Sequence, residues 1–170
     1  MKDVRIALTG FMGVGKSSVA RHLSNLLEVE NVDLDSFIEE SESRDVAQII
    51  DDQGIDAYRD IETRCLERLL SESPARIFSL GGGTFTVPRN RELIRENGIV
   101  TVWLESTFAH CWYNIKSSKK ERPLARDKRA AKKLFDSRQS VYSLADWHFI
   151  IKPEFTSYDI ATQIAEQVFA

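Results

Sequence analysis

The sequence predicts an α/β protein, a three-layer αβα sandwich with a five-stranded parallel sheet between its helices. Two observations carry this prediction. Five short apolar segments, rich in β-branched or large residues, alternate with helical patterns, an order that places parallel strands between layers of helix. A glycine-rich turn also joins the first strand to the first helix, the local geometry with which such sheets hold anions. The 170 residues suit a single domain, a size at which folding buries roughly 70% of the unfolded surface.

Strands are expected over Val4–Leu8, Glu30–Val32, Arg76–Leu80, Ile99–Leu104 and His148–Ile151. The first helix should run from about Lys16 to Leu27, with Val19, Leu23, Leu26 and Leu27 on its inner stripe. Another opens on Pro88 and closes at Asn97-Gly98, the usual proline-first, glycine-last asymmetry. The last begins near Thr156 or Ser157 as cap and turns Ile160, Ile164, Val168 and Phe169 inward. No internal repeat, low-complexity tract or linker divides the chain.

Composition narrows the function. Apolar content of 42% and charged content of 29% are ordinary for a soluble globular protein. A net charge of −3 argues against a general nucleic-acid binder. No run approaches the ~20 apolar residues of a membrane span, and no signal-peptide pattern opens the chain. The expectation is a cytoplasmic protein with neither nucleic acid nor membrane as partner. Cys65 and Cys111 lack metal-ligand spacing and read as reduced thiols. His22, His110 and His148 are scattered and, like Trp103, Trp112 and Trp147, read as surface or packing residues.

Residues 10 to 17 spell Gly-Phe-Met-Gly-Val-Gly-Lys-Ser directly after the first strand. This is a complete phosphate-binding loop. Its backbone N–H groups can point inward where side chains do not intervene, and the following helix adds the positive end of its dipole. Gly13, Val14, Gly15, Lys16, Ser17 and Ser18 are therefore expected to hold a nucleoside triphosphate. Lys16 would reach the β- and γ-phosphates, and the Ser17 hydroxyl would ligate Mg²⁺.

A second constellation must say what receives the phosphate. Asp33-Leu34-Asp35 follows the second strand, and in an extended chain the two carboxylates share one side. One near Mg²⁺ and one near an acceptor hydroxyl would suit phosphoryl transfer; the plainer reading, compatible with the first, is that Asp35 caps a helix beginning at Ser36. Arg59 and Glu62 lie three apart on a helix. They form either an ordinary surface pair or a clamp in which Glu62 holds the guanidinium ready for a carboxylate. Gly81, Gly82 and Gly83 at a strand end invite close approach of a ligand to the backbone. Lys116 to Lys133 holds nine basic and two acidic residues, a local charge of +7 against −10 elsewhere. It reads as a mobile flap that closes on a bound triphosphate rather than as a solvated helix face.

Taken together, Gly10–Ser17, Asp33-Leu34-Asp35, Gly54 through Glu62, Gly81–Gly83, Arg122-Pro123-Leu124, and Arg138 with Tyr142 resemble the shikimate kinase family in order and spacing. The resemblance spans about Val4 to Ile151. It implies a nucleoside-monophosphate-kinase-like fold with strand order 2-3-1-4-5, and phosphorylation of the 3-hydroxyl of shikimate by ATP in aromatic amino-acid biosynthesis. Carried over by residue, it implies that Asp35 contacts the acceptor hydroxyls and accepts the proton. Arg59 and Arg138 would bind the carboxylate, with Gly81–Gly83 against the ring. Lys16, Ser17 and Asp33 would serve phosphates and Mg²⁺, Asp33 through water, and Arg122 would close over the phosphates. Val46, Ile50, Tyr58, Pro123 and Leu124 would form apolar walls. A monomer is expected, with a core over 1–108 and 134–170, a lid over about 109–133 and a substrate-binding helical segment over about 34–62.

Four departures from the family habit stand out. Ile55 replaces a usual Glu, Ser41-Glu42-Ser43 lacks a usual Gly, no proline follows Arg138, and the stretch from Arg122 to Arg138 is short. The rival readings are a related small-molecule kinase such as a gluconate kinase, a non-catalytic nucleotide binder, and a nucleotide-gated switch. The retained Lys16, Asp35 and arginines disfavour the second, and the lack of a guanine-reading motif disfavours the third.

Overall fold

The structure is a computed structural model that describes residues 2–170. Five parallel strands, β1 (Ile6–Thr9), β2 (Asn31–Asp33), β3 (Ile77–Ser79), β4 (Val100–Glu105) and β5 (Trp147–Ile150), pair in the order β2-β3-β1-β4-β5. The expected strands are all present, displaced at their ends by one or two residues. The three inner strands are buried on both faces, which is why they read as continuous apolar runs without alternation.

Among the described residues eight α-helices pack about the sheet: α1 (Lys16–Leu27), α2 (Leu34–Glu42), α3 (Val46–Gln53), α4 (Ile55–Glu72), α5 (Pro88–Glu96), α6 (Phe108–Ser117), α7 (Lys128–Tyr142) and α8 (Ser157–Val168). On α1, Val19, Ala20 and Leu23 face the core, but Leu26 is 39% exposed, contrary to the expected stripe. Leu27 beside it packs against the core as expected, and the helix ends there, capped by a left-handed Glu28. Helix α8 opens on a capping box between Thr156 and Asp159, and Ile160, Ile164, Val168 and Phe169 are buried as expected. Among the described residues no helix is long and apolar enough to cross a membrane.

One interaction ties the sheet to its longest helix. Helix α4 carries no basic residue in its last turn. Arg5, just ahead of β1, supplies the charge, donating to the carbonyls of Leu70, Ser73 and Ala75 at 3.1 to 3.3 Å while lying over the Phe78 ring. Both cysteines are buried free thiols, and His148 packs edge-on against Trp103.

The departures have local explanations. Helix α7 runs unbroken from Lys128 past Arg138 to Tyr142, as the lack of proline allows. Ile55 begins α4 and packs against the core. Ser43, in the segment without glycine, ends α2 in the left-handed region at φ 53°. A residue with a Cβ is strained there and glycine is not. Ser43→Gly should therefore stabilise the protein by about 0.5–1 kcal/mol, read from the urea midpoint at unchanged slope; a lower midpoint would show that the serine side chain outweighs the backbone strain.

Candidate active site

All the expected site residues lie at the carboxyl edge of the sheet, where open α/β folds receive ligands. The phosphate loop turns between β1 and α1 through Gly10, Gly13 and Gly15, at φ 147°, 81° and 104°. A Cβ at Gly13 would stand 2.5 Å from the Cys111 carbonyl oxygen, so α6 presses directly on the loop. Asn114 Nδ2, on the same helix, donates to the Gly13 carbonyl at 2.7 Å. Val14 is buried in the core and lines neither cavity of the cleft, while Gly13, Gly15, Ser17 and Ser18 line it.

Lys16 starts α1 and is buried. Its ammonium donates to the carbonyls of Gly10 and Phe11 at 2.7 and 3.1 Å. Burial, reinforced by the nearby Arg122, lowers its pKa to about 8, although Asp35 and Asp33 pull the other way. Ser17 Oγ donates to Asp33 Oδ1 at 3.0 Å. The other carboxylate oxygen accepts from the Ser36 N–H and hydroxyl at 3.0 and 3.1 Å.

This corrects the expected geometry of the aspartates. The chain does not stay extended through Asp35, and Asp35 does not cap a helix at Ser36. The strand stops at Asp33, which is itself the cap, and α2 begins at Leu34. A carboxylate three residues before an unpaired helical N–H ends the strand early. Leu34 is fully buried, yet Asp33 and Asp35 both reach the cleft. Ser17 and Asp33 thus present two hard oxygens side by side, a donor set that fits Mg²⁺ completed by phosphate and water.

On the acceptor side, Gly81 and Gly83 clear space for polar side chains, whereas Gly82 lies tightest against the Met12 backbone nitrogen, 3.2 Å from where a Cβ would stand, with Arg138 just beyond. A Cβ at Gly81 would lie 2.9 Å from Asp35 Oδ1, one at Gly82 would lie 3.4 Å from Arg138 Nη1, and one at Gly83 would lie 2.0 Å from Arg59 Nη2. None of the three has positive φ. Close approach of neighbouring groups, side chains at Gly81 and Gly83 and the Met12 backbone at Gly82, rather than backbone conformation, demands the triplet.

Glu62 is wholly buried on α4. It accepts from Arg59 Nη1 at 2.8 Å, the Thr84 hydroxyl at 2.8 Å and the Tyr58 hydroxyl at 3.4 Å. Burial raises its pKa against the opposing pull of Arg59. An exposed pair of this spacing is worth little, but this one is a clamp. Arg138, 6% exposed on α7, has its Nη1 without a partner among the described residues, and burial lowers its pKa. One turn on, Tyr142 donates to the Gly82 carbonyl, and burial pushes its pKa up to about 12.

Residues 118–127, between α6 and α7, fold over both halves. Arg122 lines both, its Nε buried without a partner among the described residues, and burial lowers its pKa. Arg126 pairs with Asp51 on α3 at 2.7 Å, and Lys120 Nζ lies 3.1 Å from Asp35 Oδ2. The acceptor cavity measures about 80 Å³ and the phosphate cavity about 350 Å³. Met12, Asp35, Gly81, Gly82, Lys120 and Arg122 line both, so the two form one continuous cleft. Val46, Ile50, Tyr58, Pro123 and Leu124 wall the smaller one. Sequence reasoning missed Lys120, Thr84, Asn114 and Ser157. Lys120 is one base among nine, and the partner of Thr84 is 22 residues away.

The chain is similar to proteins of one family. A family model described as shikimate kinase matches residues 12–169. The shikimate kinase of Ruegeria pomeroyi is 37% identical over 144 residues, 83% of this chain and 72% of that protein. That of Streptococcus thermophilus is 38% identical over 143 residues, 82% of this chain and 85% of that protein. The solved structure of shikimate kinase from Acinetobacter baumannii in complex with shikimate matches 98% of this chain and 93% of its own, with TM-score 0.89 and 28% identity.

The depressed Lys16 pKa has a measurable consequence. Below pH 8 the ammonium is charged before a triphosphate arrives; above it, the lysine is largely neutral and must be reprotonated on binding. Triphosphate affinity should fall as pH rises from 7 to 9, and at pH 9 binding should take up about one proton, against almost none at pH 7. Calorimetry in buffers of different ionisation heat reads this directly, and equal proton uptake at both pH values would contradict it.

Proposed function

This chain belongs to the shikimate kinase family, and on that premise we propose how its residues divide the reaction. The activity is ATP-dependent transfer of the γ-phosphate to the 3-hydroxyl of shikimate, giving shikimate 3-phosphate and ADP. One observation carries the allocation. Two guanidinium groups, Arg59 and Arg138, converge on Gly82 and Gly83 at one end of the small cavity, while Asp35 stands where that cavity opens into the phosphate cleft. A small polyol with one carboxylate fits that polarity: the carboxylate between the arginines, a hydroxyl at Asp35.

In this reading Arg59, held by Glu62, and Arg138 grip the carboxylate through charge-assisted hydrogen bonds. Gly81, Gly82 and Gly83 keep the floor thin enough for the ring. Asp35 orients the acceptor hydroxyl and takes its proton. Gly13, Val14 and Gly15 offer backbone N–H groups to ATP, with Ser18 beside them. Lys16 follows the charge from the β- to the γ-phosphate, and Arg122 closes over the transferring group. Ser17 and Asp33 are the residues that would hold Mg²⁺, Asp33 through water, and the ion on binding neutralises β- and γ-phosphate charge. Phosphoryl transfer needs positioning and charge neutralisation more than covalent help, and that is what this cleft supplies.

We place the moving lid within 109–133, and more narrowly at 118–127, because Cys111 and Ile115 of α6 are buried in the core. The segment 34–62 forms the acceptor wall. One chain supplies every group, which supports action as a monomer.

A coupled assay of ADP release should show turnover with shikimate and none with gluconate or nucleoside monophosphates. Protein that binds ATP but turns over no shikimate would defeat the reading. Arg59→Lys should lose most shikimate affinity yet keep its ATP affinity, because lysine cannot make the bidentate fork; parallel loss of both would remove Arg59 from the acceptor half. Arg122→Ala should lower kcat about a thousandfold.

A further inference from the structure

We propose that Lys120 is a further catalytic residue, a second lid cation that exchanges the Asp35 carboxylate for the oxygens of the phosphoryl group in flight. The proposal rests on the division of roles above and deepens it. Its basis is position. Lys120 is one of only three cations lining the phosphate cavity, with Lys16 and Arg122, and it lines the acceptor cavity as well. Its ammonium lies 3.1 Å from Asp35 Oδ2, at the junction where an acceptor hydroxyl and a γ-phosphate must meet.

The local chain aims it there. The Lys120 N–H donates to Ser118 Oγ at 3.1 Å, a tight turn directly after α6. Beyond it the lid is anchored by the buried Ala125 and by the Arg126–Asp51 pair. Neighbouring Lys119 has no partner among the described residues and lines neither cavity. Of the lid lysines ahead of Arg122, Lys120 alone reaches the cleft.

The pair with Asp35 has a consequence. A hydroxyl arriving at this carboxylate competes with Lys120 for Oδ2, and a γ-phosphate carries more negative charge than one carboxylate. Lysine suits the exchange: its ammonium is a compact charge on a flexible stem with three rotatable donors, whereas a guanidinium fork holds one plane. In the step itself the acceptor oxygen–phosphorus bond forms as the bond from the γ-phosphorus to the β,γ-bridging oxygen breaks. That bridging oxygen keeps the electron pair and leaves with ADP, and the hydroxyl proton passes to Asp35. Lys120 donates to the equatorial oxygens while charge spreads over them. Before ATP arrives, the same side chain holds the lid over Asp35.

The test compares Lys120→Met, Lys120→Arg and Lys119→Met with the wild type. For Lys120→Met the expected result is a kcat about 100-fold lower, the scale for one electrostatic donor, with KM for shikimate unchanged or lower. It should bind ATP as the wild type does but lose affinity for ADP with aluminium fluoride and shikimate, a mimic of the transferring phosphoryl group. Lys120→Arg should recover part of both, and Lys119→Met should behave as wild type. A role confined to latching the lid would change KM and leave kcat and mimic affinity intact, which would overturn the proposal. So would equal weakening of ATP and mimic. If wild type phosphorylates shikimate and Lys120→Met does so equally fast, this inference fails and the functional reading stands; if wild type leaves shikimate untouched, both fall.

Discussion

Crowded cations at one edge of the sheet are the constraint around which this molecule is organised. Lys16, Arg122 and Arg138 are all drawn out of water far enough that burial depresses their pKa values. Such groups repel one another and lose hydration, so the fold must hold them in place. It does so with backbone carbonyls at Lys16, with the glycine floor beneath Arg138, and with a lid anchored at Asp51 for Arg122. The result is an environment already polarised for a polyanion, requiring little reorganisation when charge develops during transfer.

That arrangement is supported from behind by a rigid shell. Glu62 sits wholly inside the protein, where a carboxylate is tolerated only with partners. Arg59, Thr84 and Tyr58 provide them, and in return the Arg59 guanidinium is locked in one orientation against Gly83. Tyr142 performs the matching task from α7 by tying that helix to the Gly82 carbonyl. Sheet, α4 and α7 are therefore coupled through the glycine triplet, and a shift in one would move Arg59 or Arg138. Residues 118–127 are linked to the rest by the buried Ala125 and by ion pairs of modest strength, fewer ties than hold α4 and α7, as the lid proposed above requires.

The layered architecture, the phosphate loop and most of the site were legible before any coordinates, because each has a local signature. Strand and helix periods are written in the spacing of apolar residues, and Gly10–Ser17 has few alternative uses between a strand and a helix. Asp35, Arg59 and Arg138 were legible only as members of a spaced set. Asp33 and Asp35 do share the cleft, but by another route than strand alternation: a carboxylate ahead of free helical N–H groups ends the strand at Asp33, which caps the helix in place of Asp35.

By itself the chain determined the order of elements, the anion cradle and the chemical kinds of residue that gather around it, since these follow from local propensity and short-range spacing. Only the tertiary structure decided which basic lid residue joins Arg122 at the cleft, that Glu62 is a buried clamp rather than a surface partner, and that Gly81 and Gly83 make room for Asp35 and Arg59. It also decided that the end of α4 is closed by Arg5, 65 residues away from Leu70. Each of these depends on contacts between segments far apart in sequence, and burial, which sets the worth of a charge, exists only once those segments meet.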